Sequence, residues 1–417
     1  MGKYSNTRGG TSSSTTSTWR PFPAATSTDI SLAKSLSIWP LDPYNVELLN
    51  EVRHRDYDNP APLDVYDLVV IGAGAGGLVS SRQAARRGAK SCMISMELAG
   101  GDCLNAGCVP SKALLKCAKL IREAKKAAEV DNEFGISFVR KSGEPIEDAE
   151  VRADFPTIME RMRRLRSQIA PVDGHDRGTS MGAQTFQGKG VLVSPTEVEV
   201  VETGKSLGDA SNPRLRFKIC VIATGGRPRV PEDIKGLKDA PYTTNLSLFN
   251  LQQLPKRMVI LGAGVVALEM AQAFAAFGSE VTVLGRSGLL SGGDKEAASA
   301  LQSVLEKEGV KFLFGVKVEE VETSRAGDDG ELPFMSVSLT HKEGTETQQR
   351  NLECECLLLA MGRAANVGGM GLEEGGVEYH PSGGVLVNDY AQSVSNPNVY
   401  AVGDCVANVP RLTHSEY

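Results

Sequence analysis

One pattern is written twice in this chain, and it constrains the fold more than any other feature. A short apolar run from Tyr66 to Ile71 meets Gly72, Gly74 and Gly77, a helix-period segment continues to Arg87, Gly88 stops it, and Ser91 to Ser95 reads as a second strand. Downstream, Met258 to Leu261 meets Gly262, Gly264 and Ala267, a helical segment runs to Phe277, Gly278 stops it, and Glu280 to Leu284 follows. The opening and closing glycines are 16 residues apart in both copies. In a strand, glycine turn and helix of this order, the first glycine permits the tight turn and the second lets the backbone approach a pyrophosphate. The third lets helix and strand pack closely. The helix start adds unpaired N–H groups that attract an anion. The expected fold class is therefore α/β with two Rossmann-like, doubly wound nucleotide-binding domains, each with a parallel sheet built by right-handed crossovers.

A ribose partner belongs at the end of each second strand, about 20 residues on. Counting 23 residues from Gly72 reaches Ser95, with Glu97 two further along. A serine hydroxyl or a displaced carboxylate would each serve, and the sequence leaves both open. The same count from Gly262 reaches Gly285, followed by Arg286. No carboxylate stands there to repel a 2′-phosphate, and a cation is at hand to hold one, which favours NADP over NAD.

Between the two copies lies Gly100-Gly-Asp-Cys103-Leu-Asn-Ala-Gly-Cys108-Val-Pro-Ser-Lys112. Five residues of ideal helix advance ~7.5 Å, more than a disulfide normally spans. The segment must be distorted if the two sulfurs are to meet. Gly107 supplies the freedom, and a regular helix is expected to resume after Pro110. A thiol near that helix start, with Lys112 one turn on, would have its thiolate stabilised by dipole and charge. The bland alternative is two structural cysteines. Cys354 and Cys356 fall on one face of a strand-like run without further ligands for zinc, and Cys92, Cys117 and Cys220 read as core. His54, His175, His341 and His380 sit in polar contexts and read as solvated surface.

With these motifs in hand, the chain resembles the class I pyridine-nucleotide disulfide oxidoreductases, the family of glutathione reductase, dihydrolipoamide dehydrogenase and mercuric reductase, and is most similar to mercuric-reductase-like members. The resemblance runs from about Tyr66 to the last residue. It rests on both glycine motifs, Cys103 to Lys112, Ala223-Thr-Gly-Gly-Arg-Pro228, Ala360-Met-Gly-Arg363 and Tyr400-Ala-Val-Gly-Asp404. It implies an FAD site at Gly72, Gly74, Gly77, Ser95, Gly101, Asp102, Lys112, Gly190, Thr224, Gly225, Asp404 and His414. It implies an NAD(P) site at Gly262, Gly264, Ala267, Glu269, Arg286 and Gly362. Cys103 would be the interchange thiol and Cys108 the charge-transfer thiol beside the flavin, with Lys112 and Glu269 completing the catalytic set. Glu269 in an otherwise apolar helix start also reads, on its own, as a paired charge.

The implied activity carries electrons from NAD(P)H through FAD to a Cys103–Cys108 disulfide, and on to a small-molecule disulfide, thiol-linked or metal-ion acceptor. Dihydrolipoamide dehydrogenase is the enzymatic alternative. A non-catalytic flavin-binding redox sensor, or an inactive fragment, is the alternative of another class. The family continues past the Asp404 region into a C-terminal interface domain that forms a homodimer and donates a His-Glu pair. This chain stops at Tyr417, so that domain is expected to be missing.

Composition narrows the rest. A net charge of −6 without a dense basic block argues against a nucleic-acid partner. The most apolar stretch, Met258 to Phe277, carries Glu269 and Gln272 and is broken by glycines, so no membrane span is expected. Eight cysteines without a secretory leader point to an intracellular protein with mostly reduced thiols. Residues 1 to 28 hold thirteen Ser or Thr and no acid, which suits a plastid or mitochondrial transit peptide as well as a plain tail of a cytoplasmic protein. The expected organisation is a disordered extension and arm over 1–63, an FAD domain over 64–229 and 354–417, and an NAD(P) domain over 230–353. A helix-rich insert is expected from Ala113 to Met162.

Overall fold

Tyr66–Ile71 is apolar almost throughout because strands cover it on both edges. Ser91–Ser95 pairs with it in parallel on one side (Leu68 opposite Ser91) and the end of Arg214–Ile222 on the other (Ile71 opposite Ile222). The structure, a computed structural model, describes residues 19–128, 135–136, 138–144, 146, 150–325, 331–343, 346–409 and 411. Gln184–Gln187 extends this sheet beyond Ser91–Ser95, and Val399–Ala401 extends it beyond Arg214–Ile222, all in parallel. The strand ends at Ile71, Ser95 and Ile222 therefore gather along one rim, where a doubly wound sheet binds its ligand.

Arg214–Ile222 shows how one strand serves two environments. Its first half alternates charged and apolar residues, exposed and buried in turn, and pairs antiparallel with Glu197–Val201, which in turn pairs with Lys189–Ser194. Its second half, Cys220 to Ile222, is buried throughout and joins the parallel sheet. Half-buried antiparallel strands alternate, and strands inside a parallel sheet do not.

The second fold repeats the plan. Arg257–Leu261 lies between Glu280–Gly285 and Cys356–Leu359, with Lys311–Phe314 outermost, all parallel. Beside it stands an antiparallel sheet of Val316–Arg325, Phe334–Glu343 and Glu346–Cys354. The expected return to the first fold at residue 354 is corrected here. Cys356–Leu359 completes the second sheet, and the crossing comes after it, where Arg363–Ala365 pairs antiparallel with the outgoing Gly226–Pro228. Cys354 and Cys356 thus end one strand and begin another, both buried. The chain changes sheet at Glu355, whose carboxylate accepts from Arg257 N at 2.6 Å and Arg257 Nη2 at 3.1 Å.

The two folds share a core. The helix Cys108–Ala128 packs on Val265–Phe277, whose buried Ala267, Ala271 and Ala273 allow close approach, and Phe155 meets Phe274 and Phe277 edge-on or tilted. Over Ala113 to Met162, where a helix-rich insert is expected, the described residues hold most of that helix and the start of Phe155–Asp173. Asp154 caps the second helix and Pro156 stands at its first turn.

The largest correction concerns the N-terminal segment. From Trp19 on it is packed, with two helices, Ser27–Ser35 and Pro43–Val52. Thr26 and Asp29 form a capping box for the first, and Asp42 caps the second ahead of Pro43. Trp19, Ile38, Leu41, Leu48, Leu49 and Val52 are buried in one cluster with Leu78, Met93 and Leu104 of the first fold. The composition of residues 1 to 28 hid this because the helix-period apolar residues begin just after that window. Residues 1–18 lie outside the described residues.

Candidate functional site

The first glycine turn opens at the rim of the first sheet. Gly72 has φ +118°, and a side chain there would strike the Ala223 carbonyl. Gly77 packs against the Gly72 carbonyl with no room for a Cβ. The helix Ala75–Arg86 starts at Gly74 with no side-chain cap, so its first-turn N–H groups face the crevice. Gly101, at φ +54°, closes on it from the other side, where an added Cβ would lie 2.7 Å from the Gly74 Cα. Backbone alone lines this gap, which suits a pyrophosphate.

At the end of the second strand Ser95 is only 1% exposed, and its Oγ has no hydrogen-bond partner among the described residues, whereas Glu97 is exposed. An orphaned buried hydroxyl beside a phosphate cradle fits a ribose hydroxyl, so the residues present suit a dinucleotide such as FAD. Other expected contacts carry structural duties. Gly190 lets its strand lie on the sheet, since a Cβ there would come within 2.8 Å of Ile71 and 3.1 Å of Ile94. Thr224 Oγ1 donates to Asn366 O at 2.7 Å, and Asn366 N donates to Gly225 O at 3.0 Å, tying the two crossing segments.

Asp102 and Asp404, 302 positions apart in the chain, meet on one guanidinium. Arg363 Nε donates to Asp404 Oδ2 at 2.6 Å, and its Nη2 donates to Asp102 Oδ2 and, at 2.6 Å, to Gly226 O. Burial pulls Arg363 down, yet the two carboxylates hold it above its usual pKa. Arg363 joins redox helix, crossing ladder and returning segment, and sequence reasoning assigned it no role. The available signal was two motif acids, Asp102 and Asp404, and an arginine closing a third motif, Ala360-Met-Gly-Arg363. Arg411 Nε also donates to Asp404 O at 3.0 Å, and His414 lies outside the described residues.

The segment between Cys103 and Cys108 is broken at Gly107. Gly101–Ala106 forms one short helix, Gly107 leaves helical geometry at φ −141° and ψ −114°, and Cys108–Ala128 forms the next. A Cβ on Gly107 would lie 2.8 Å from Asp102 O and 3.5 Å from the Cys103 Cα, so the chain folds back on itself just before Cys108. The helix resumes at Cys108 instead of after Pro110. Pro110 fits inside the first turn because the N–H it lacks would have no intrahelical partner there. Cys103 is exposed and Cys108 half-buried. Lys112, one turn on, pairs with Glu269 of the second fold, Nζ to Oε1, at 2.8 Å.

In the second cradle Gly262 has φ +114° and presses on the Ala360 carbonyl just as Gly72 presses on Ala223. Ala267 is fully buried under the turn. Val265 and Val266 at the helix start are 49% and 45% exposed, unusual for such residues. Gly264 and Gly362 face open space. Arg286 is exposed and has no ion pair among the described residues.

His175, expected on the surface, is 1% exposed between His54 and Tyr57 of the N-terminal segment, its ring centroid 5.3 Å and 6.1 Å from theirs. Among the described residues no group of His, Cys, Asp and Glu could hold a metal ion, and no helix is long and apolar enough to cross a membrane.

Comparison with known proteins covers the same span. The pyridine nucleotide-disulphide oxidoreductase family matches residues 66–416. A mercuric reductase of Lysinibacillus sphaericus is 31% identical over 361 residues, covering 86% of this chain and 57% of that protein. One of Streptomyces lividans is 32% identical over 339 residues, covering 81% and 65%. The mitochondrial dihydrolipoyl dehydrogenase 1 of Arabidopsis thaliana is 31% identical over 360 residues, covering 84% and 64%. The chain thus spans 57% to 65% of the length of these curated relatives. A solved Cu(II) complex of an HOCl-induced flavoprotein disulfide reductase of Escherichia coli superposes with a TM-score of 0.66 at 22% identity, over 85% of this chain and 69% of that one, a likeness of fold.

Proposed function

We propose, from the premise that the chain belongs to the pyridine nucleotide-disulphide oxidoreductase family, that it is a flavin-dependent NAD(P)H oxidoreductase working through Cys103 and Cys108. The observation that carries this reading is the Lys112–Glu269 pair, which ties the helix bearing Cys108 to the helix that opens the second glycine cradle. Gly72, Gly74, Gly77, Gly101 and Ser95 would hold the FAD pyrophosphate and ribose, and Asp404 the chain toward the flavin ring. Bound there, FAD supplies the two-electron relay between nicotinamide and disulfide.

The chain's own residues divide the remaining work. Cys108 starts a 21-residue helix, whose N-terminal partial charge favours its thiolate, and Lys112 adds a full charge one turn away. The exposure of Cys103 lets an external acceptor reach it, while Cys108 is half-buried. Glu269 positions the Lys112 ammonium at 2.8 Å. Exposed Val265 and Val266 offer an apolar approach for a nicotinamide, and Arg286, with no carboxylate at Gly285, favours the 2′-phosphate of NADP. The acceptor is a disulfide, a thiol-linked compound or a metal ion. Relatives named mercuric reductase and dihydrolipoyl dehydrogenase match at the same 31% identity, so identity does not choose between them.

Anaerobic titration with NADPH, and separately NADH, followed by visible spectroscopy, tests the reading. The expected result is long-wavelength absorbance at two electrons, lost in Cys108→Ala, with NADPH the better donor. A purified protein that binds no flavin, or bleaches without that band, overturns it. Continued turnover on adding a disulfide or metal-ion acceptor separates an enzyme from a sensor that is reduced once.

A further inference from the structure

The segment 19–53 precedes the span matched by the family, yet it forms the wall behind the redox helix. It grips that helix at both ends. Ala99 N, just before Gly100, donates to Val52 O at 2.9 Å. At the other end Arg166, 1% exposed, bridges the segment and the helix. Its Nη2 donates to Asn45 Oδ1 at 2.7 Å and its Nη1 to Asn105 O at 2.7 Å. Asn45 is itself fixed, since its Nδ2 donates to Pro40 O at 2.7 Å and its N–H to Asp42 Oδ1 at 2.9 Å. Asn105 in turn donates through Nδ2 to Ala99 O and Gly101 O, both at 2.9 Å. Between the two grips Leu104 is buried in the cluster that holds Trp19, Leu48, Leu49 and Val52.

Arg166 is an unusual group to bury here. Its hydrogen-bond partners are neutral, its Nε has none among the described residues, and burial lowers its pKa to about 10, which leaves it charged at neutral pH. The carbonyl it holds belongs to the last turn of Gly101–Ala106, two residues from Cys103 and three from Cys108. Helix C-terminal carbonyls carry the negative end of the dipole, which opposes a nearby thiolate, and a cation on that carbonyl offsets it.

We infer that Arg166, anchored by Asn45 of the N-terminal segment, is a positioning residue for the Cys103–Cys108 pair, setting its charge on the helix-end carbonyl of Asn105 between them and favouring the reduced form. The inference rests on the redox role proposed above. Stabilising the thiolate makes a dithiol a weaker reductant, so loss of Arg166 makes the pair more reducing.

The test equilibrates the full-length protein with mixtures of reduced and oxidised glutathione. Two protein thiols lose two electrons and two protons to form the disulfide while one oxidised glutathione becomes two reduced molecules. Arg166→Met is expected to shift the equilibrium constant about tenfold toward the disulfide, about 30 mV, and to raise the pH at which Cys108 becomes a thiolate. Arg166→Lys, which keeps the charge, is expected to recover most of the shift. Asn45→Ala, which leaves the cation in place but removes its anchor, is expected to shift it in the same sense by less, and it carries the test if Arg166→Met does not fold. Variants whose melting temperature falls while the glutathione equilibrium stays within twofold of wild type overturn the positioning role. A wild-type protein in which Cys103 and Cys108 form no disulfide at any ratio overturns the redox reading itself, and this inference with it.

Discussion

The two glycine cradles share turn, helix and spacing but differ in what surrounds them. The first is walled in. Gly101 closes to within contact of Gly74, Arg363 knots Asp102 to Asp404, and Ser95 lies buried at the strand end. The second stands open, with Gly264 and Gly362 facing empty space, Val265 and Val266 exposed and Arg286 without an ion pair among the described residues. Under the proposed function, one anion-binding device would serve two residence times. A closed cradle suits a cofactor that stays, and an open one suits a co-substrate that must leave after each turnover.

The contrast can be broken most directly at glycine. Gly101→Ala puts a Cβ 2.7 Å from the Gly74 Cα at φ +54°, and is expected to destabilise the protein by about 3 kcal/mol. Gly264→Ala, with nothing within 4 Å, should fold normally and lose only nucleotide affinity. Urea denaturation and NADPH titration of the two variants read both effects, and equal loss of stability would erase the distinction.

Arg363→Met should come next. It leaves two carboxylates facing each other in a partly covered site, Asp404 13% and Asp102 40% exposed at the side chain. A cost of about 2 to 3 kcal/mol follows, below that of a fully buried pair, with flavin released before the second fold melts. Calorimetry that finds flavin retained to the end would count against the knot as a clasp of the first cradle.

A pH test follows, again confined to the first fold. Burial, then the neighbouring His54, Arg53 and Arg82, push His175 from 6.5 to about 3. The native protein therefore keeps His175 neutral while the unfolded chain takes up a proton below 6.5. Its contribution is complete above 6.5 and is lost as pH falls toward 3, at about 1.4 kcal/mol per pH unit. Between pH 6.5 and 5 about 2 kcal/mol should go. Stability measured against pH should flatten in His175→Phe, and an unchanged slope would refute the assignment.

The smallest structural effect belongs to the open cradle. Arg286→Ala should change stability by less than about 0.5 kcal/mol while raising the KM for NADPH about tenfold and leaving that for NADH alone. A parallel rise for both would mean that Arg286 does not read the 2′-phosphate.

What could be read from the sequence was local. Both cradles, the break at Gly107 and the company of Lys112 follow from spacings of a few residues. The misses share a different cause. Arg363 matters because three distant motifs converge on it, and no single motif displays that need. His175 is buried because Tyr57 and His54, more than a hundred residues earlier, come to lie over it. The helix Ser27–Ser35 was masked by averaging over a Ser/Thr-rich window that ended where its apolar spacing began, and Pro43–Val52 is too short an apolar-periodic piece to tell a packed helix from an arm. The sheet switch at Glu355 was invisible because Glu353 and Glu355 alternate with Leu352, Cys354 and Cys356, which resembles one strand with a solvent face.

The first sheet is completed by its last strand, Val399–Ala401, which pairs with Cys220 to Ile222. Between those partners runs the whole second fold. On the ribosome the buried edge at Cys220, Val221 and Ile222 therefore emerges long before the strand that covers it, and stays an unpaired apolar edge while the intervening chain is made. The chain's most exposed moment falls in that interval, when a chaperone, or the second fold docking early through the helix Cys108–Ala128, must keep neighbouring nascent chains apart.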